Sequence, residues 1–220
     1  MRKMELTGLF IKCLSASYRE DGGSANYSVE REGDKAYVLF EDSNGADDWS
    51  VNIDFPAKPY RRLDRTVFFA HRGFLEAWER TERYVADTVR DASVKSITVA
   101  GYSHGAALAL LCHEYIWSER PDLRPTLEGY GFGCPRVIWG SVSADIARRW
   151  DGFLVIRNLD DIVTHLPPAA LGYSHIGRLL EVGEIGKYTP IEAHYADNIA
   201  YELRKYEAKD RKNNKFLKNY

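Results

Sequence analysis

Ser96-Ile97-Thr98-Val99-Ala100 leads without a break into Gly101-Tyr102-Ser103-His104-Gly105, and that into Ala106-Ala107-Leu108-Ala109-Leu110. The first five residues are rich in β-branched and apolar side chains, as a buried strand requires, and the last five are strong helix formers. Between them stands G-x-S-x-G, the pattern of a nucleophile elbow. Its glycines allow a sharp strand-to-helix turn in which two backbones pass close together, so the serine hydroxyl stands clear. The helix start behind it offers amide N–H groups and a positive dipole end to a developing oxyanion. The stretch therefore predicts an α/β fold with a nucleophilic serine at Ser103. The chain carries its own control, because Gly172-Tyr173-Ser174-His175 repeats the first four letters. That copy lacks the fifth glycine, follows Pro167-Pro168 rather than a strand and precedes no helix signal, so an ordinary turn is expected there.

Outward from the elbow, strand and helix patterns alternate. Residues 26–31 and 35–40 flank Glu32-Gly33-Asp34 as a hairpin of aromatic and β-branched residues. The stretch from Glu41 to Arg65, polar and rich in Asp, Asn and Pro, reads as a long loop with one short helical turn near Trp49. Thr66 to Ala70 reads as a strand, and Phe74, Leu75, Trp78, Val85 and Val89 share the face of a helix reaching about Asp91. Past the elbow helix, which should end near Ser118, strands are expected at 127–133, 153–157 and 179–182. A short helix is expected around 143–150 and another from Ile191. Such alternation implies an α/β class with a mainly parallel central sheet, helices on both faces and an N-terminal antiparallel hairpin. Residues 205–220 interleave Lys and Arg with Asn and Asp, which suits a solvated helix end or tail. With no repeat and no linker, residues 1–220 read as a single domain.

Charge is nearly balanced, 30 Lys and Arg against 32 Asp and Glu, for a net −2. This argues against a nucleic-acid groove as the main function. Cys13, Cys112 and Cys134 form neither an even framework nor a C-x-x-C pair, which fits a reducing compartment. The N-terminal Met1-Arg2-Lys3 is basic, but the apolar run from Leu6 to Ile11 is short for a targeting segment, and no stretch is long enough to span a membrane. The expectation is a cytoplasmic protein without stable membrane insertion. No metal or organic cofactor is called for, and the oligomeric state is not legible.

A serine nucleophile needs a base to take its proton and an acid to orient that base, in the chain order Ser, Asp or Glu, His on α/β hydrolase scaffolds. Functional carboxylates of open α/β sheets sit just past the carboxyl ends of strands. Asp160 and Asp161 follow the expected strand 153–157 in that position. Downstream histidines are His165, His175 and His194. His194 is favoured because it follows a Gly- and Pro-bearing loop and opens the last helix, whereas His165 lies very close to Asp161.

Four further segments stand in order around the elbow: His71-Arg72-Gly73-Phe74, Gly131-Phe132-Gly133-Cys134-Pro135-Arg136-Val137, Asp161-Ile162-Val163-Thr164-His165-Leu166-Pro167-Pro168, and His194-Tyr195. With the elbow they resemble the landmarks of the class 3, fungal-type triacylglycerol lipase family of the α/β-hydrolase superfamily. The resemblance covers roughly residues 26 to 200. It implies a triad of Ser103, Asp161 and His194, preferring Asp161 over Asp160 and His194 over His175, and it implies cleavage of carboxylic esters through an acyl-enzyme. It further implies an oxyanion hole from the backbone amides of Ser43 and His104.

One segment departs from the family pattern. Where R-G-T or R-G-S is usual, Phe40 is followed by Glu41-Asp42-Ser43, which places carboxylates beside the expected oxyanion site. The region corresponding to an amphipathic lid, residues 44–52, carries Asp47 and Asp48 and only Trp49 as a large apolar group. At about 25 cal/mol per Å2 of apolar surface it has little with which to dock on lipid. The expectation is therefore an esterase for soluble or short-chain acyl esters. Alternatives are a true lipase or phospholipase and, from another class, a non-catalytic binding protein on a hydrolase scaffold.

Overall fold

In the computed structural model, which describes residues 5–20, 25–41 and 55–217, the apolar run before the elbow forms the middle of a seven-stranded sheet. In chain order the helices are α1 (Leu6–Ser15), α2 (Arg72–Arg90), α3 (His104–Glu119), α4 (Ala144–Ala147) and α5 (Ala196–Leu217). The strands are β1 (Arg19–Glu20), β2 (Asn26–Glu32), β3 (Lys35–Phe40), β4 (Ala57–Arg62), β5 (Arg65–His71), β6 (Ser96–Tyr102), β7 (Glu128–Phe132), β8 (Ile138–Trp139), β9 (Phe153–Asn158), β10 (Tyr173–Ser174) and β11 (Arg178–Val182).

The main sheet runs β1-β2-β3-β6-β7-β9-β11. From β3 to β11 every pair is parallel, while β1, β2 and β3 pair antiparallel. Ile97, Val99 and Ala100 of β6 are completely buried, as expected of a parallel strand covered on both faces. On one face lie α2 and α3, with Trp78, Leu108, Leu111 and Tyr115 in the core. On the other, Leu9 and Phe10 of α1 meet Ile199 and Leu203 of α5 over Tyr102 and Phe132. Phe10 is fully buried between those two rings, a burial worth about 1.5–3 kcal/mol. The mainly parallel sheet, two helical faces and N-terminal hairpin match the expected class.

Two sequence expectations change here. The stretch read as loop up to Arg65 contains β4, which pairs antiparallel with β5 in a second sheet ordered β10-β8-β5-β4. β4 is an edge strand, so Pro59 is tolerated, and two of its three charges are matched: Lys58 to Glu79 at 2.6 Å and Arg62 to Glu82 at 3.5 Å. Polarity that resembled a loop is thus an edge facing the carboxylates of α2. The helical turn expected near Trp49 lies outside the described residues. The short apolar run at the N-terminus, weighed only as a targeting segment, is α1 and contributes to the core. The basic C-terminal stretch continues α5, with exposed side chains from Lys209 to Lys212. Glu207, in contrast, accepts bonds from the Thr7 amide and hydroxyl and ties α5 to α1.

Candidate active site

β6 carries Tyr102 to the carboxyl edge of the sheet, and the chain turns at Ser103 with φ 54° and ψ −121° before α3 begins at His104. A non-glycine residue with positive φ is strained, and this one sits where the side chain must stand apart from both backbones. The glycines are sterically required. A Cβ on Gly101 would fall 2.1 Å from the Gly105 carbonyl oxygen, and one on Gly105 would fall 2.5 Å from the oxygens of Phe40 and Glu41. The Ser103 amide donates to the Phe132 carbonyl at 2.9 Å, which ties the turn to β7.

Ser103 Oγ lies 2.7 Å from His194 Nε2, and His194 Nδ1 lies 2.8 Å from Asp161 Oδ2. All three residues are buried, Asp161 completely. With the proton on Nδ1, the ring donates to Asp161 and accepts from the Ser103 hydroxyl, the tautomer this network favours. The second Asp161 oxygen accepts the Val163 amide at 2.9 Å, so the carboxylate is held from both sides. Gly133, at φ 58°, leaves the space the imidazole occupies: a Cβ there would lie 2.8 Å from His194 Cε1. The three residues singled out from the sequence therefore meet in one hydrogen-bonded line.

The competing candidates have other partners. Asp160 accepts the amides of Gly186, Lys187 and Tyr188 at 3.0, 3.0 and 3.2 Å and fixes the loop leading to His194. His175 Nε2 donates to the Thr164 carbonyl at 2.8 Å, and Ser174 is exposed on β10. His165 meets Arg136 through its own carbonyl. Cys134, next to Gly133, is fully buried, and burial first, then the Asp161 charge, pushes its thiol well up.

Two positioning residues escaped the sequence reading. The Tyr102 ring stacks on His194 at 5.1 Å and 25°, and its hydroxyl donates to the His194 carbonyl. Asn158 Nδ2 donates to the Ala193 carbonyl at 2.9 Å. Tyr102 adjoins the serine in the elbow, so its position was a usable signal. Asn158 offered none, being one polar residue at a strand end. Of the expected oxyanion residues, His104 opens α3 and is buried with its ring 5.6 Å from Phe74. Ser43 lies outside the described residues, as do Asp42 and residues 44–52. The Glu41 carboxylate accepts from Asn26 Nδ2 at 2.7 Å, so it has a partner of its own. Among the described residues no group of three or more His, Cys, Asp or Glu could hold a metal ion.

The geometry can be set beside known proteins. Residues 37–171 match the family described as lipase (class 3). The chain belongs to the class 3 lipase family. It is 30% identical over 146 residues to a lipase of Rhizomucor miehei, covering 64% of this chain and 40% of that protein. It is 32% identical over 159 residues to secreted mono- and diacylglycerol lipase 1 of Fusarium solani, covering 69% and 46%. The chain thus spans less than half the length of these relatives. The Rhizomucor miehei triacylglyceride lipase structure superposes with a TM-score of 0.67 at 23% identity, over 80% of this chain and 78% of that one, and shows the same α/β-hydrolase fold.

The expectation of a cytoplasmic protein does not stand, because the Fusarium solani relative is a secreted lipase. The physical reason lies in the cysteines. All three are free and buried, so they behave as small apolar side chains, and their number carries no information about the redox compartment. No helix among the described residues is long and apolar enough to cross a membrane.

Proposed function

We propose that this chain hydrolyses carboxylic esters through an acyl-enzyme on Ser103. The observation that carries the proposal is the unbroken relay from Asp161 through His194 to Ser103, at 2.8 and 2.7 Å, on a strained elbow. In this reading His194 Nε2 takes the hydroxyl proton as Ser103 Oγ attacks the ester carbonyl. Asp161 holds the imidazole in the reactive tautomer and stabilises the imidazolium. The amides of His104 and Ser43 bind the oxyanion. His194 then protonates the leaving alcohol, and afterwards activates the water that releases the acid.

Acylglycerols are the first substrates to test, since the relatives are named as lipases and as a mono- and diacylglycerol lipase. Within that class, Asp47, Asp48 and the single Trp49 favour short-chain or soluble esters over packed long-chain lipid. An extracellular site of action, after the Fusarium solani relative, belongs to the same proposal.

A fluorophosphonate probe tests the chemistry. Wild-type protein should be labelled once and Ser103→Ala not at all, while failure to label folded wild type would favour a non-catalytic binding role. A p-nitrophenyl series from acetate to palmitate then reads chain length. A rate that jumps when a long-chain ester passes its solubility limit would overturn the short-chain preference.

A further inference from the structure

At the far end of α3 from Ser103 lies a cleft of about 870 Å3 lined by Arg61, Arg62, Arg65, Arg124 and Arg149 around Trp117. The sixteen residues of α3, at about 1.5 Å each, put it roughly 24 Å from the nucleophile, out of reach of the triad's chemistry. The chain as a whole is close to neutral, so five guanidiniums in one concavity are a local feature drawn from three distant segments.

Two of the five are already matched. Arg149 pairs with Glu114, which is completely buried, and Arg62 pairs with Glu119 and Glu82. These bonds hold the walls in place. The other three carry the excess charge. Arg61, Arg65 and Arg124 are exposed, and among the described residues no carboxylate pairs with them. Arg124 uses Nε on the Trp117 carbonyl and lies 3.6 Å over the Trp117 ring, leaving its two terminal nitrogens for a ligand.

Local backbone brings these groups together. At Tyr60/Arg61 the register of the hairpin shifts by one residue, with Val67 of β5 as the extra residue, and Arg61, Arg62, Arg65 and Val67 all line the cleft. The hairpin then closes on Leu63 and Asp64 at φ 46° and 58°, left-handed backbone held by two non-glycine residues. Trp117 is covered by Arg124 and, at 4.9 Å, by Arg149, so an incoming group meets guanidinium edges rather than an aromatic face. Planar guanidinium forks grip tetrahedral oxyanions through paired N–H bonds, and the volume is that of a small-molecule site.

We propose that this cleft binds a polyanion carrying two or more phosphate or sulfate groups, independently of the ester chemistry at Ser103. The phosphates can belong to a free molecule or to lipid headgroups. Leu63, 96% exposed beside the cleft, separates the two sources, because only a bilayer offers it an apolar partner.

The test titrates the full chain with sodium tripolyphosphate by calorimetry, and with phosphatidylcholine vesicles with and without phosphatidic acid by co-sedimentation. Arg61→Gln/Arg65→Gln should weaken binding at least tenfold, with the ligand-free melting temperature unchanged because among the described residues these two exposed side chains pair with no carboxylate. Arg124→Gln, which also loses the contacts to Trp117, should weaken binding several-fold. Wild-type binding should also weaken as NaCl rises from 50 to 500 mM. Loss of vesicle binding alone in Leu63→Ser assigns the headgroup source, and arginine-dependent binding of tripolyphosphate without vesicle binding assigns the free source. Wild type that binds neither probe, or binds both as well as the double variant does, overturns the proposal.

Discussion

Gly101-Tyr102-Ser103-His104 and Gly172-Tyr173-Ser174-His175 are the same four residues in two structures. In the first, serine takes φ 54°, is buried and touches His194. In the second the positive φ falls on the glycine, 87° at the end of a 3-10 turn, and serine lies exposed in β10 opposite Ile138. The neighbours make the difference. Gly105 lets α3 start against the Phe40 and Glu41 carbonyls directly after the first copy, and β6 before it is locked between β3 and β7. The second copy has Ile176 in the fifth place and a two-residue edge strand for a scaffold. A motif is thus a set of letters plus the packing that strains them, and only the strained copy holds a hydroxyl where an acceptor waits.

The hydroxyls give the largest contrast. Ser103→Ala should lower kcat for a p-nitrophenyl ester by about a hundred-thousandfold to a millionfold, the loss expected when a triad nucleophile is removed. Ser174→Ala should leave kcat within about twofold. Equal losses in the two variants would mean that the elbow geometry does not select the nucleophile.

The adjacent aspartates sharpen the same point. Asp161→Asn keeps the shape but removes the acceptor that fixes the Nδ1 proton, and kcat should fall about ten-thousandfold. Asp160→Asn loosens three amide bonds to residues 186–188 without touching the imidazole, so its effect on kcat should stay below about tenfold. A steady-state assay of both at one pH decides it, and a larger loss in Asp160→Asn would reverse the assignment.

What could be read in advance follows from what each feature depends on. The hairpin, β6, α3 and the helix face of α2 carry local periodicity, so they were legible. β4 was not, because its strand character comes from pairing with β5 and from the carboxylates of α2 that match Lys58 and Arg62. Asp160 and Asp161 have the same local surroundings in sequence, and choosing between them took the resemblance. In the fold, one faces His194 and the other faces the loop amides. The arginine cleft was invisible for the same reason: segments 61–65, 124 and 149 meet only in three dimensions.

The histidines separate along the pH axis. Burial pushes His113 down to about 3 and His175, in the second copy, down to about 4, from an ordinary value of 6.5. Below about pH 6.5 the unfolded chain takes protons on these rings that the folded chain refuses, so stability is fully present above that pH and falls as the solution is acidified toward pH 4 and 3. For completely enclosed His113 the slope is about 1.4 kcal/mol per pH unit, or about 2 kcal/mol between pH 6.5 and 5. Among the described residues neither of its ring nitrogens has a hydrogen-bond partner, so His113→Leu should cost little at pH 8 and should flatten the curve. Urea midpoints at pH 5, 6.5 and 8 read this, and parallel curves for variant and wild type would count against it. His175→Gln should change the same slope and leave the ester rate intact.

The tyrosines give the smallest and most discriminating contrast. Tyr102 donates to the His194 carbonyl and stacks on its ring, whereas Tyr173 donates to the Phe55 carbonyl at 2.7 Å. Each phenylalanine variant removes one neutral hydrogen bond and keeps the ring, a loss of about 1 kcal/mol in stability for either. Only Tyr102→Phe should also reach the rate, because it loosens the backbone that carries the imidazole. That predicts a several-fold fall in kcat with KM unchanged for Tyr102→Phe, and unchanged kinetics for Tyr173→Phe at a similar cost in urea midpoint. If both variants lose stability alone, Tyr102 is a core tyrosine that happens to lie beside the histidine. If kcat falls only in the first, the residue before the serine positions the base, and the elbow then orients two members of the relay through consecutive side chains.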